Sequence, residues 1–168
     1  MAKSGASGFT LLELAIVLGA ALVALYAAAP AINGYMQRYQ LRLIAAQITA
    51  QIQSAKSMAA STECRSQLNL TQSGSDIRVD LELHLDNQWK GCRRWFESKG
   101  AAGANQFGLT SQSIRNVTLG NNVRLEFQGV SGSLNTTQSR AFRLYSGGKT
   151  MSITLDGIGN GVYSRVDN

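Results

Sequence analysis

Glu13 is a lone carboxylate at the mouth of a long apolar run, Leu14 to Ala29, that stops at Pro30. A charge inside a membrane span costs about 2.5 to 3.5 kcal/mol at the helix centre on insertion scales, so a carboxylate here calls for a partner and a task. The residues ahead of it supply the partner. Met1 to Gly8 is short, carries Lys3 as its single charge and ends in glycine, and the apolar segment follows this glycine instead of preceding it. Cleavage between Gly8 and Phe9 leaves a new ammonium terminus four residues from Glu13, on a helix that stays in the mature chain. An ammonium and a carboxylate that are each costly alone neutralise one another across a helix interface.

The other chemistry-bearing residues are sparse. His84, the only histidine, shares the polar side of an alternating stretch with Asp76, Asp80 and Glu82. Acid–base catalysis there needs a nucleophile or a second base, and the interspersed Arg78 makes the group read as a charged strand face. With one histidine and two cysteines, no metal cluster, cofactor site or His-dependent catalytic set is expected, and the chain does not read as an enzyme; a membrane-tethered enzyme is the weakest alternative. Cys64 and Cys92 are expected to pair outside the cytoplasm, worth about 2 to 4 kcal/mol; the alternative is two small buried thiols. Lys90, Arg93 and Arg94, with Trp89, Trp95 and Phe96, form the densest basic and aromatic cluster. Cations on phosphates with aromatics stacked on bases would hold single-stranded nucleic acid. The same residues also fit a disulfide-pinned hairpin with its aromatics inside and its cations in water, or a contact with another subunit, and this is the reading the sequence favours.

The elements that position these residues are read from periodicity. The uniformly apolar run becomes amphipathic after Pro30: Leu41, Ile44, Ile48, Ile52, Ala55 and Ala59 recur at three- and four-residue spacing, with Gln40, Arg42, Gln47, Gln51 and Lys56 elsewhere. A helix from Phe9 to about Ser61 would extend on the order of 80 Å, with a kink expected at Pro30. Asp76 to Leu85 alternates as a strand, Asp86-Asn87 turns, and Trp89 to Phe96 reads as its hairpin partner. Further strands are expected at 114–119, 123–127, 141–145, 151–155 and 161–166, with Ser146-Gly147-Gly148-Lys149 as a hairpin turn and loops at 99–113 and 129–138. The length of 168 residues allows one membrane helix and one domain. Lys3 and the lack of a second apolar span put the leader inside and the remainder outside. The net side-chain charge of +6 is too moderate to name a partner.

Gly8-Phe9-Thr10-Leu11-Leu12-Glu13, together with Pro30, resembles the class III signal of type IV pilins and type II secretion pseudopilins. The resemblance implies that prepilin peptidase cuts after Gly8 and N-methylates Phe9, that Glu13 pairs with the methylated terminus of an adjacent subunit, and that Pro30 kinks the helix. It also implies an α+β fold, a long N-terminal helix on an antiparallel sheet-rich domain. The expected organisation is a leader at 1–8, a membrane or filament-core helix at 9–30, an amphipathic extension at 31–61 and a periplasmic domain at 62–168. Ile52 to Ala59, Val123 to Phe127 with Gly129, and Met151 to Leu155 with the terminal glycine-rich segment are similar to the GspH/FimT group of minor pseudopilins and pilins. The two resemblances together imply a minor filament subunit, held in the inner membrane until assembly, whose partners are other pilin subunits and prepilin peptidase. Some FimT-like pilins bind DNA through a C-terminal Gly-Arg-x-Arg-like element. The corresponding segment is Gly159 to Arg165, in which Arg165 matches in character and Val162 stands where arginine is expected.

Overall fold

The structure, a computed structural model, describes residues 10–135 and 141–155 in full and residues 162–167 by their backbone. Helix α1 spans Leu11–Thr62 and contains Pro30, whose ring withholds the amide that would reach the Tyr26 carbonyl. The chain divides into two compact units, residues 1–36 and 37–168. In the first, the apolar side chains of α1 face outward on every side: Leu11, Ile16 and Leu22 are 86%, 62% and 67% exposed. In the second, Leu41, Ala45, Ile48, Ile52, Ala55, Ala59 and Thr62 are buried, a stripe at alternating steps of four and three.

That stripe packs on two four-stranded sheets, and the fold is α+β. β1 (Arg65–Ser73), β2 (Asp76–His84), β3 (Gln106–Ile114) and β5 (Val123–Phe127) form the first, in the order β3-β2-β1-β5. β4 (Thr118–Leu119), β6 (Ala141–Ser146), β7 (Lys149–Leu155) and β8 (Val162–Asp167) form the second, in the order β4-β6-β7-β8. All neighbouring strands are antiparallel. Leu68 and Leu70 of β1, Val79 and Leu81 of β2, and Leu125 and Phe127 of β5 join Leu144, Met151 and Ile153 of the second sheet and the α1 stripe in one core. Gly147 and Gly148 both have positive φ, 56° and 75°, as a two-residue hairpin turn between β6 and β7 requires.

Three sequence expectations are corrected. Trp89 to Phe96 is no hairpin strand; helix α2 occupies Lys90–Ser98. A strand would place Arg94 on the same side as Cys92 and Phe96, whereas helical spacing of four puts Cys92 and Phe96 together in the core and turns Arg94 to solvent. The expected loop at 99–113 contains most of β3, an edge strand whose inward positions are only half filled by Phe107 and Leu109. Its pairing with β2 shifts register between Leu81 and Glu82, which hides the alternation. The expected strand at 114–119 is interrupted by Asn116 at φ 57°, leaving only the two residues of β4. β1 has no counterpart among the expected strands.

Candidate functional site

At the head of α1, Thr10 and Glu13 form a reciprocal cap. The Thr10 amide and hydroxyl donate to Glu13 Oε2 at 3.0 and 3.1 Å, and the Glu13 amide donates to Thr10 Oγ1 at 3.3 Å. This is the Thr-x-x-Glu capping box, which satisfies otherwise orphaned amides of the first turn. Glu13 therefore has a local partner in addition to the intermolecular one expected for it. Immediately behind it, α1 is long and apolar enough to cross a membrane, and its most apolar window buries nothing within the chain. Gly8 and Phe9, the expected cleavage and methylation positions, lie outside the described residues.

At its other end α1 is locked to α2. Glu63, at φ 58°, ends the helix in the left-handed region, and its Oε2 accepts the Gly91 amide at 3.1 Å. The N-cap residue of α2, Trp89, offers no side-chain cap, so the Glu63 carboxylate serves the first turn in its place, where negative charge also suits the helix dipole. One residue on, Cys64 is bridged to Cys92, with Cα atoms 4.7 Å apart. Both neighbours of this junction are glycines that approach Glu63 closely, Gly129 against its backbone and Gly91 against the end of its side chain. A Cβ on Gly91 would lie 2.3 Å from Glu63 Oε2, and one on Gly129 would lie 2.3 Å from the Glu63 carbonyl oxygen. Behind the bridge, Cys64, Leu83, Cys92 and Phe96 form a second small core, with Trp95 edge-on to Phe96 and Phe107 at 5.5 and 5.3 Å between centroids.

The structure thus separates the basic and aromatic cluster. Phe96 is buried and Trp95 half-buried, while Trp89, Lys90, Arg93 and Arg94 are exposed. Lys90, Arg93 and Arg94 fall at i, i+3 and i+4, one face of α2, and none enters an ion pair among the described residues. Lys99 stands 5.9 Å above the Trp95 ring. Arg165 lies in β8 opposite Ser152, in the other sheet.

The polar face of β2 is charge-balanced. Arg78 pairs with Asp80 at 3.0 Å, Arg124 with Glu126, and His84 Nε2 lies 3.7 Å from Glu82 Oε2. Burial, aided by Arg65, holds the His84 pKa below its ordinary value, so the ring is neutral near neutral pH. Gln67, buried between Glu82 and Glu126 in the cross-strand register, donates to Asn69 Oδ1 at 2.9 Å. Acids that each have a basic or amide neighbour describe a solvated ion-pair surface. Among the described residues no group of three or more His, Cys, Asp or Glu side chains could hold a metal ion.

Sequence reasoning missed Glu63 and Gly91, and the place of Gly129 at this junction. Glu63 has no residue-type signature for a left-handed conformation, and its neighbours come from distant segments. No protein-family model, curated protein or solved structure matches the chain.

Proposed function

We propose that this chain is a non-enzymatic subunit of an extracytoplasmic filament: a prepilin-like protein stored in the inner membrane through α1, cut after Gly8, methylated on Phe9 and assembled through Glu13 and its apolar helix. The observation that supports this reading best is the first half of α1, apolar on all sides, with no buried residue in its most apolar window and headed by a single carboxylate. A helix hydrophobic all round is stable only inside something, and its own chain does not cover it. A membrane, then a bundle of like helices, would. The sheet-rich unit then faces the periplasm. Similarity of the 50–165 segment to the GspH/FimT group favours a minor pilin or a type II secretion pseudopilin. Intact mass and N-terminal sequencing of the protein from cells with active prepilin peptidase test this: a methylated Phe9 terminus is expected, and a terminus at Met1 contradicts it.

A second reading adds DNA binding to the same assembly, favoured by the three exposed cations on one face of α2. A gel shift that weakens with salt and with Arg93→Ala/Arg94→Ala supports it; Arg165→Ala tests the C-terminal alternative. No salt-sensitive shift with the wild-type chain removes both.

A further inference from the structure

β3 is an outer strand of its sheet, with Gln106, Gly108 and Thr110 to Ser113 exposed along it. It contains no charged side chain and no proline, two of the devices that keep an open edge from pairing. Its backbone direction follows from one bond. The Leu85 amide donates to the Asn105 carbonyl at 2.9 Å, so the odd-numbered residues of β2 turn their backbone groups toward β3. Gly108, Ser111 and Ser113 stand opposite the even-numbered Glu82, Asp80 and Arg78. Their own amides and carbonyls therefore turn away from β2, and no described residue bonds them. The segments flanking β3 in sequence, 99–105 and 115–122, are described throughout. Contact from α1 comes on the inner face, where Gln47 and Gln51 both donate to Gln112 Oε1 at 3.3 Å.

On the outer face a side chain is missing behind this edge. Gly108 is the cross-strand neighbour of Glu82, and a Cβ on it would meet nothing within 4 Å. A shallow groove of about 340 Å³ lies there, lined by Arg78, Asp80 and Glu82 of β2 and by Gly108 and Ser111 of β3. Arg78 is committed to Asp80 at 3.0 Å. Glu82, with its side chain 22% exposed, has the neutral His84 imidazole at 3.7 Å and the Asn69 amide at 3.5 Å. Among the described residues no cation lies within ion-pair distance of it. A charged donor is the group that such a carboxylate lacks. A strand added to β3 would lie two strand spacings from β2, about 10 Å, and a lysine or arginine side chain on its outer face would cross Gly108 toward Glu82. On the inner face the same strand would set apolar side chains beside the half-buried Phe107 and Leu109. A second copy's β3 is uncharged and brings no cation, and a phosphodiester chain would meet the carboxylates of the groove.

We propose that the outer edge of β3 takes up an extended basic segment of a partner protein by strand addition. Its main chain bonds to the outward groups of Gly108, Ser111 and Ser113, and a lysine or arginine side chain lies over Gly108 against Glu82.

The test is fluorescence anisotropy with the full-length chain in non-ionic detergent and a labelled short peptide alternating lysine and valine. Binding is expected although the chain itself carries a net charge of +6, so general charge attraction opposes it. Glu82→Gln, which keeps the shape of the side chain, should lose about tenfold. Gly108→Lys supplies the cation from within the chain at a position with room for it, and should lose about tenfold or more without lowering the thermal midpoint. Glu97→Gln, which neutralises an exposed acid on α2, is the control and should change affinity by less than about twofold. A peptide N-methylated on its backbone should also lose about tenfold, a readout that needs no variant to fold. A glutamate–valine peptide should not bind. Absence of binding, equal loss with Glu97→Gln, or indifference to N-methylation or to Gly108→Lys overturns the proposal. So does self-association that Gly108→Lys abolishes and the peptide does not displace, which would assign the edge to a second copy.

Discussion

The two halves of α1 share one backbone conformation and differ in every other respect. Residues 11–36 are apolar around almost the whole circumference and mostly exposed, whereas residues 37–62 carry a continuous stripe buried on the sheets, with Tyr39 and Leu43 the large apolar side chains left exposed outside it. The second half has its partner in its own chain; the first requires one from outside. Helical propensity cannot distinguish them, since Ala, Leu and Ile populate both. Angular distribution does, because a stripe can be covered by one neighbour and a full circumference only by a surrounding phase or a ring of helices. Substitutions in the first half should therefore alter assembly and leave folding intact, and those in the second should do the reverse.

The largest expected effect is on the first half. Under the proposed assembly, Glu13→Ala should reduce incorporation into filaments by about a hundredfold or more, since removing one member of a buried charge pair costs about 3 to 5 kcal/mol. The unfolding midpoint of the sheet-rich unit should not move. Normal incorporation of this variant, measured as its share of sheared or cross-linked filaments, would erase the distinction between the halves.

Next comes the stripe. Ile52→Ala, at a fully buried position, should lower unfolding free energy by about 2 to 5 kcal/mol in urea titrations. Leu22→Ala should not alter that titration, being 67% exposed. Equal effects would mean that the first half also packs on its own chain.

Where the stripe ends, Cys64→Ser/Cys92→Ser should cost about 2 to 4 kcal/mol, the bridge closing a loop between residues 28 apart in sequence. Amides of α2 should lose protection from hydrogen exchange in this variant before those of β1 and β2. At the same junction Gly129→Ala should be more disruptive than Gly91→Ala, because the first meets backbone and the second the mobile end of the Glu63 side chain.

The smallest effect is on pH dependence. Burial lowers the His84 pKa below 6.5, so the folded chain binds fewer protons than the unfolded chain in the window just under that value. Stability contributed by the neutral ring is complete above about pH 6.5 and declines as pH falls through the window toward the folded pKa. Arg65 and Arg124 reinforce this shift, and Glu82 and Glu126 oppose it. His84→Gln should flatten the dependence of the thermal midpoint on pH between about 7 and 5; an unchanged slope assigns it to the carboxylates.

Much of the fold is legible wherever a single periodicity runs undisturbed. The stripe from Leu41 to Ala59, the alternation of β2, the bounds of β5 and the Gly147-Gly148 turn all depend on local pattern, and the structure has each of them. β1 is harder to see because Ser66, an inward residue, is polar; its hydroxyl donates to the Ala55 carbonyl at 2.7 Å, a bond with no sequence signal. α2 mimics a strand, since two aromatics and a cysteine suggest one until their spacing is tested at 3.6 residues as well as at two. The cysteine pair can be recognised from count alone, but its position beside the Glu63 cap cannot.

The Thr10–Glu13 cap has one more consequence. Both of its bonds from Thr10 fall on Oε2, and a carboxylate has a second oxygen with lone pairs of its own. Under the proposed assembly, the acid can accept a neighbour's ammonium on Oε1 without releasing its own helix terminus. Docking is then an addition instead of an exchange, and the carboxylate reaches the encounter already oriented. Thr10→Ala keeps the charge and the amide bond and removes both bonds of the hydroxyl, so the hydroxyl's share of the orientation can be weighed apart from the charge.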